Sequence, residues 1–210
     1  MSLLDEQHSF YRELVPKQFN QTFDRQVSRA AEDPEAAQLL EEMRAVRASI
    51  RVEVEGDTER FIHVLEIDGG KMRAVDDAAR APFFVLSHRL DQFENLRRRC
   101  GTSVLGFLGA LAGMGEDMKL TSQRVRSLRE LEGMLVFEVE GKDGFCLTSV
   151  FGTRSTDGAA RASIRLTPEI FEALQDGELD VQDAFFDEKI AVEGDMGVAI
   201  GAALAALSPE

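Results

Sequence analysis

The stretch VFEVEG, residues 136–141, repeats RVEVEG at residues 51–56. The segments downstream of the two copies recur in the same order. FCLTSVF (145–151) answers FIHVLEI (61–67), and ASIRLTPEIFEAL (162–174) answers FFVLSHRLDQF (83–93), which sets Leu166-Thr167 against Leu86-Ser87. KIAVEGDMGVAI (189–200) answers DMKLTSQRVRSL (117–128). An ordered series of matches points to an internal duplication, with insertions in the first copy because the spacing shrinks along the chain. The chain then divides into a helical segment (1–47), a divergent first repeat (48–132) and a cleaner second repeat (133–210).

Hydrophobic periodicity gives each copy its elements. Leu14, Phe19, Phe23 and Val27 fall near helical spacing, with Pro16 opening the second piece of the run. Asp33 is an N-cap with Pro34 at the first helical position, and Leu39, Leu40, Met43 and Val46 are expected to face inward. The period then changes to two. Ile50, Val52 and Val54 alternate with Arg51, Glu53 and Glu55, which predicts a half-buried antiparallel meander through residues 61–67 and 82–90. Helices are expected over 90–99, 104–114 and 122–131, with a short strand at 117–121. In the second copy Thr167 caps a helix with Ile170, Phe171 and Leu174 on its apolar face. Gly177 stops that helix, Asp180 caps the next, and a strand runs through Ile190–Val192.

Charge and cysteine usage narrow the partners. A net charge of −14 repels nucleic-acid phosphates and anionic lipid headgroups, so no nucleic-acid partner is expected. Arg97-Arg98-Arg99 reads as a solvated helix end rather than an anion site. Cys100 and Cys146 form no C-x-x-C motif and read as reduced thiols of a cytoplasmic protein, with a bridge between them left open. The N-terminus has neither the basic start nor the apolar run of a secretion signal, and the apolar stretch 104–115 is too short to cross a bilayer.

Taken together, LTPEIFEALQDGELDVQDAFFDEKIAVEGDMGVAIGAALAAL (166–207) resembles the C-terminal half of the sterol carrier protein 2 (SCP-2) family. The resemblance is carried by the Thr167-capped helix, Gly177, Phe185-Phe186, Lys189, the Gly194-Asp195 turn and the small-residue helix from Met196. PKQFNQTFDRQ (16–26) and DPEAAQLLEEMRA (33–45) resemble the helices that precede the first strand in such proteins. Two features depart from the pattern. Asp187-Glu188-Lys189-Ile190 replaces the usual Gly-Lys-Leu-Lys-Ile strand entry, and the second copy must borrow its leading helix from RVRSLREL (124–131).

The resemblance implies an α+β fold in which helices cover one face of a mixed, mostly antiparallel sheet, with an apolar tunnel between the layers. It implies a non-enzymatic carrier of a sterol, fatty acid, acyl-CoA or isoprenoid, without a cofactor. Small residues on the terminal helix either let it lie close to the sheet or leave room beneath it. On the second reading the helix is a lid, and Phe171, Leu174, Phe185, Phe186, Ile190, Val192, Met196, Ile200 and Leu204 are the ligand-binding wall. On the first they are plain core, and the chain is a protein–protein interaction module or homodimer. Transient contact with a zwitterionic membrane fits the lipid reading.

No catalytic or metal residues are expected. GTSVLG (101–106) is not a nucleophile elbow, because its second glycine comes one place late. His8, His63 and His88 stand on separate elements and read as surface or sheet residues, and no H-x-x-x-H occurs.

Overall fold

The computed structural model describes residues 2–100, 119–152 and 161–207. The period-two segments form strands β1 (Arg47–Glu55), β2 (Arg60–Asp68), β3 (Lys71–Val75), β4 (Phe84–Arg89), β5 (Gly133–Val139), β6 (Phe145–Phe151), β7 (Arg161–Leu166) and β8 (Ala191–Gly194). Among the described residues they make one sheet in the order β3-β2-β1-β4-β6-β5-β7-β8. Only β1/β4 and β5/β7 run parallel, so the sheet is mixed and mostly antiparallel. The fold is α+β.

The helices form where the sequence caps them. Helix α1 (Leu3–Ser9) begins with a capping box between Ser2 and Asp5, and a π-helical turn, Phe10–Leu14, carries the run without a break into α2 (Val15–Arg29). Pro16, expected to open a separate piece, instead comes just after this widened turn. Asp33 caps α3 (Pro34–Arg44), and α4 (Phe93–Cys100) comes after a short 3-10 turn, Leu90–Gln92. Thr121 caps α5 (Ser122–Glu130), Thr167 caps α6 (Pro168–Gln175) and Asp180 caps α7 (Val181–Phe186), each side-chain oxygen accepting a first-turn N–H. The chain closes on α8 (Met196–Leu207). Val27 is exposed and Leu39 half-buried, so the inward faces of α2 and α3 are narrower than their spacing predicts.

One continuous apolar core runs from Phe10 and Tyr11 through Ile50, Leu86, Leu135 and Phe171 to Ala205. Buried positions alternate strictly along β5 and β6, as a sheet with one covered face requires.

The sheet contains the same three-strand pattern twice. Strands β2-β1-β4 and β6-β5-β7 each have an antiparallel hairpin and then a parallel strand on the other side of its first member. Val54 faces Phe61 in one unit as Val139 faces Phe145 in the other. The register departs from the sequence pairing at the third strand. Val54 lies against His88 where Val139 lies against Leu166, so Leu166 answers His88 and not Leu86. The strand expected at 117–121 is not formed by its described residues, Lys119–Thr121. The place beside β4 that β8 takes beside β7 is filled by β6. The helix expected over 104–114 lies outside the described residues.

Candidate functional site

Helix α8 is launched from the sheet by a turn that only glycine fits. Gly194, the last residue of β8, pairs with Ala162 of β7 and has φ +86°, and a side chain there would overlap the carbonyl oxygen of Arg161. Asp195 N–H then donates to that carbonyl (2.8 Å), while its carboxylate accepts from Gly197 N–H (2.8 Å). These bonds fix the direction in which α8 leaves β8.

The helix returns across β5, β7 and β8 and along α5. Its inner face is made of small residues: Val198, Ala199, Ala202 and Ala205 are buried. A Cβ on Gly201 would meet the tip of the Leu131 side chain, which would have to turn aside. The far end is held by Arg124, which is 1% exposed. Its Nε donates to Ala205 O (3.1 Å) and its Nη1 to Lys119 O. A cation at the last turn also complements the negative end of the helix dipole. The small residues of α8 thus serve close contact with the sheet.

The nine wall candidates separate accordingly. Phe171 and Leu174 are buried on α6, Ile190 is buried, and Val192 on β8 is half-buried. Phe171 packs edge-to-face on Phe145, ring centroids 5.7 Å apart, and against Phe137 at 5.9 Å. Met196, Ile200 and Leu204 recur every four residues along the outer face of α8 and are exposed, Ile200 by 52%. Phe185 and Phe186 form an edge-to-face pair at the end of α7, with Phe186 78% exposed. One group therefore belongs to the core, and the other makes an apolar outer surface. One cavity among the described residues is lined by Gln26, Arg29 and Gln123 and by none of the nine candidates.

The polar interior held more than spacing could reveal. His63 and His88 are sheet residues as expected, but both are buried and on one face. Tyr11 O–H lies 2.7 Å from His88 Nε2, and Gln7 Nε2 lies 2.6 Å from His63 Nε2. Burial pushes both imidazoles down to about 4, aided at His63 by the charges of His8, Arg12 and His88 and opposed at His88 by the Arg89 carbonyl. Strand parity was the available signal, since His63 is in step with Leu65 and Ile67, and His88 with Phe84 and Leu86.

Burial likewise raises the thiol of Cys146, a free cysteine, above its ordinary range, with a smaller push from Glu138. The Cys100 side chain lies outside the described ones. Among the described residues no group of three or more His, Cys, Asp or Glu is placed to hold a metal ion. No described helix is long and apolar enough to cross a membrane.

Comparison with known proteins singles out the segment that builds this region. The chain is similar to the sterol carrier protein 2 of Yarrowia lipolytica in its apo form, with 22% identity, a TM-score of 0.29, and 38% of this chain and 75% of that one covered. It is also similar to the sterol carrier protein 2 like 2 of Aedes aegypti, with 17% identity, a TM-score of 0.32, and 54% and 94% covered. No curated protein matches. Residues 116–203, from just before α5 into α8, match the sequence model of the SCP-2 sterol transfer family. In that segment the chain carries the sequence pattern of the SCP-2 sterol transfer family.

Proposed function

We propose that this protein binds and transfers a lipid and catalyses no reaction on it. The observation that carries this reading is the family match, because residues 116–203 include the whole of α5, α6, α7 and β8 and most of α8. The ligand is a long apolar molecule: a sterol, a fatty acid, an acyl-CoA or an isoprenoid. Each buried CH₂ contributes roughly 0.8 kcal/mol, so an acyl chain offers on the order of 10 kcal/mol before the cost of immobilising it.

On this reading α8 is a lid that lifts to admit the ligand. One feature supports it: the inner face of α8 buries little bulk per residue. The Gly194–Asp195 turn gives the helix a fixed base from which to lift, and the Arg124 bond to Ala205 O is the contact that lifting would break. Phe171, Leu174, Ile190 and Val192 then form the floor. Met196, Ile200, Leu204, Phe185 and Phe186 provide the apolar rim that meets the ligand or a zwitterionic bilayer during exchange. The chain is further read as two repeats, 48–132 and 133–210, with 1–47 packed on the first. The repeated strand pattern supports this division.

Titration with a fluorescent fatty acid or sterol tests the proposal. Saturable binding below about 10 μM, an affinity near 7 kcal/mol, is expected. A second reading is favoured by the outward-facing apolar residues of α7 and α8: a protein-interaction surface, including that of a homodimer, with no lipid ligand. Native mass spectrometry of protein purified from cells separates the two. A co-purifying lipid supports the first reading, and a ligand-free dimer supports the second.

A further inference from the structure

Four polar groups meet where the N-terminal helical run lies on the first half of the sheet. Gln7 and Tyr11 are 0% exposed, and His63 and His88 are 3% and 4% exposed. Tyr11 comes from the π-helical turn, a local widening often found at functional positions. Its ring stacks on His63, centroids 5.2 Å apart, while His88 stacks on Phe93 at 6.0 Å. The fold does not require imidazoles here. By strand register Leu147 holds the place of His63 and Leu166 that of His88 in the second half of the sheet.

We propose that the Tyr11–His88 and Gln7–His63 pairs form a pH-sensitive clip. At neutral pH it holds Leu3–Leu14 on the sheet; mild acid releases that segment. The hydrogen-bond directions explain the sensitivity. His88 Nδ1 faces the Arg89 carbonyl (2.9 Å), which only accepts, so Nδ1 carries the proton and Nε2 accepts from Tyr11 O–H. A second proton on Nε2 would force the Tyr11 hydroxyl to turn and accept, and would place a cation among Val54, Leu147 and Phe93. At His63 the Gln7 amide donates to Nε2, which leaves the proton on Nδ1. Neither that nitrogen nor Gln7 Oε1 has a hydrogen-bond partner among the described residues.

Among the described residues neither imidazolium is given a counter-ion. His63 is faced by His8, 5.4 Å away between ring centroids, and by the charges of Arg12 and His88. Arg12 is paired with Asp76 (3.0 Å). Of the carboxylates on neighbouring elements, Glu6 and Glu13 line a surface groove with Lys17 and Arg97, and Asp91 binds Arg89. Glu94 is exposed, and Glu53 pairs with Arg51 and Arg60.

A freed histidine titrates near 6.5, and the clipped ones near 4. Near pH 5 each therefore favours release by about 20-fold over pH 7, and the pair by about 500-fold. Release would uncover Phe10 and Tyr11 and the two histidines that Tyr11 covers. The clip is independent of the lipid reading.

Amide hydrogen exchange of the full chain at pH 7 and pH 5, corrected for intrinsic rates, tests the clip. The expected result is a rise of two to three orders of magnitude in the opening of residues 3–14, with β5 and β6 unchanged. A variant with Gln7→Leu, Tyr11→Phe, His63→Leu and His88→Leu should lose that response. An unchanged opening in the wild type, or the same response in the variant, overturns the proposal. Imidazole NMR titration of the wild type gives a reading independent of whether the variant folds. Resonances titrating near 6.5 while the segment stays closed also overturn it, and titration only together with segment release supports it.

Discussion

Gly194 and Arg124 each fix one end of α8, for different physical reasons. At Gly194 both the positive φ and the nearby Arg161 carbonyl exclude a side chain. Gly194→Ala should destabilise the fold by about 2 kcal/mol, seen as a lower denaturant midpoint at unchanged m-value. Arg124→Met fills similar space but leaves the Ala205 and Lys119 carbonyls without that donor. A loss of roughly 2–3 kcal/mol is expected in the same unfolding measurement, since buried unsatisfied acceptors are costly. The two residues were unequally legible. A Gly-Asp pair before a helix is a local turn signal, and the caps Asp33, Thr167 and Asp180 were readable because their partners lie within three residues. Arg124 reaches a carbonyl 81 positions away, and no local pattern encodes that.

The terminal helix shows where pattern reading stops at the scale of an element. Its existence can be read from composition, but its orientation cannot. Between Met196 and Leu207 there is no polar residue to mark the solvent side. Size decided the matter: Ala199, Ala202 and Ala205 went inward and Met196, Ile200 and Leu204 outward, because close approach to the sheet favours small groups. Enlarging that inner face should therefore be unfavourable even though it adds apolar bulk. Ala202→Leu is expected to cost about 1–3 kcal/mol by overpacking, read as a lower melting temperature. Helix α6 behaved in the opposite way. The spacing of Phe171 and Leu174 against exposed Glu169 and Glu172 marked its buried side from sequence alone.

At the scale of the whole molecule, the repeated motifs pointed to a repeated strand pattern, which the sheet contains. The joint between its two units was not legible. Strand β6 occupies the edge of β4, so the first unit has no room there for a counterpart of β8, and residues 119–121 stay outside the sheet. The pairing of Leu166 with Leu86 also failed, because short apolar strands align equally well two residues apart when side chains alternate. The correct register brings the buried histidines into view, and with them a pH dependence of global stability. Both are held near 4 in the folded chain and relax to about 6.5 when unfolded, so the unfolded state binds more protons between these values. Stability should be at its plateau above pH 6.5 and fall as pH drops towards 4, by up to about 3 kcal/mol for each histidine. Chemical denaturation at pH 7.5, 6 and 4.5 checks the direction.

The lipid reading meets its most direct test in a single titration: wild type and Phe186→Asp, each against a fluorescent fatty acid, with chemical denaturation of both run in parallel. Phe186 is 78% exposed, so the variant should be as stable as the wild type within about 0.5 kcal/mol. The predicted result is saturable wild-type binding below about 10 μM and at least tenfold weaker binding by the variant. Absence of saturable binding by the stable wild-type protein would contradict the account.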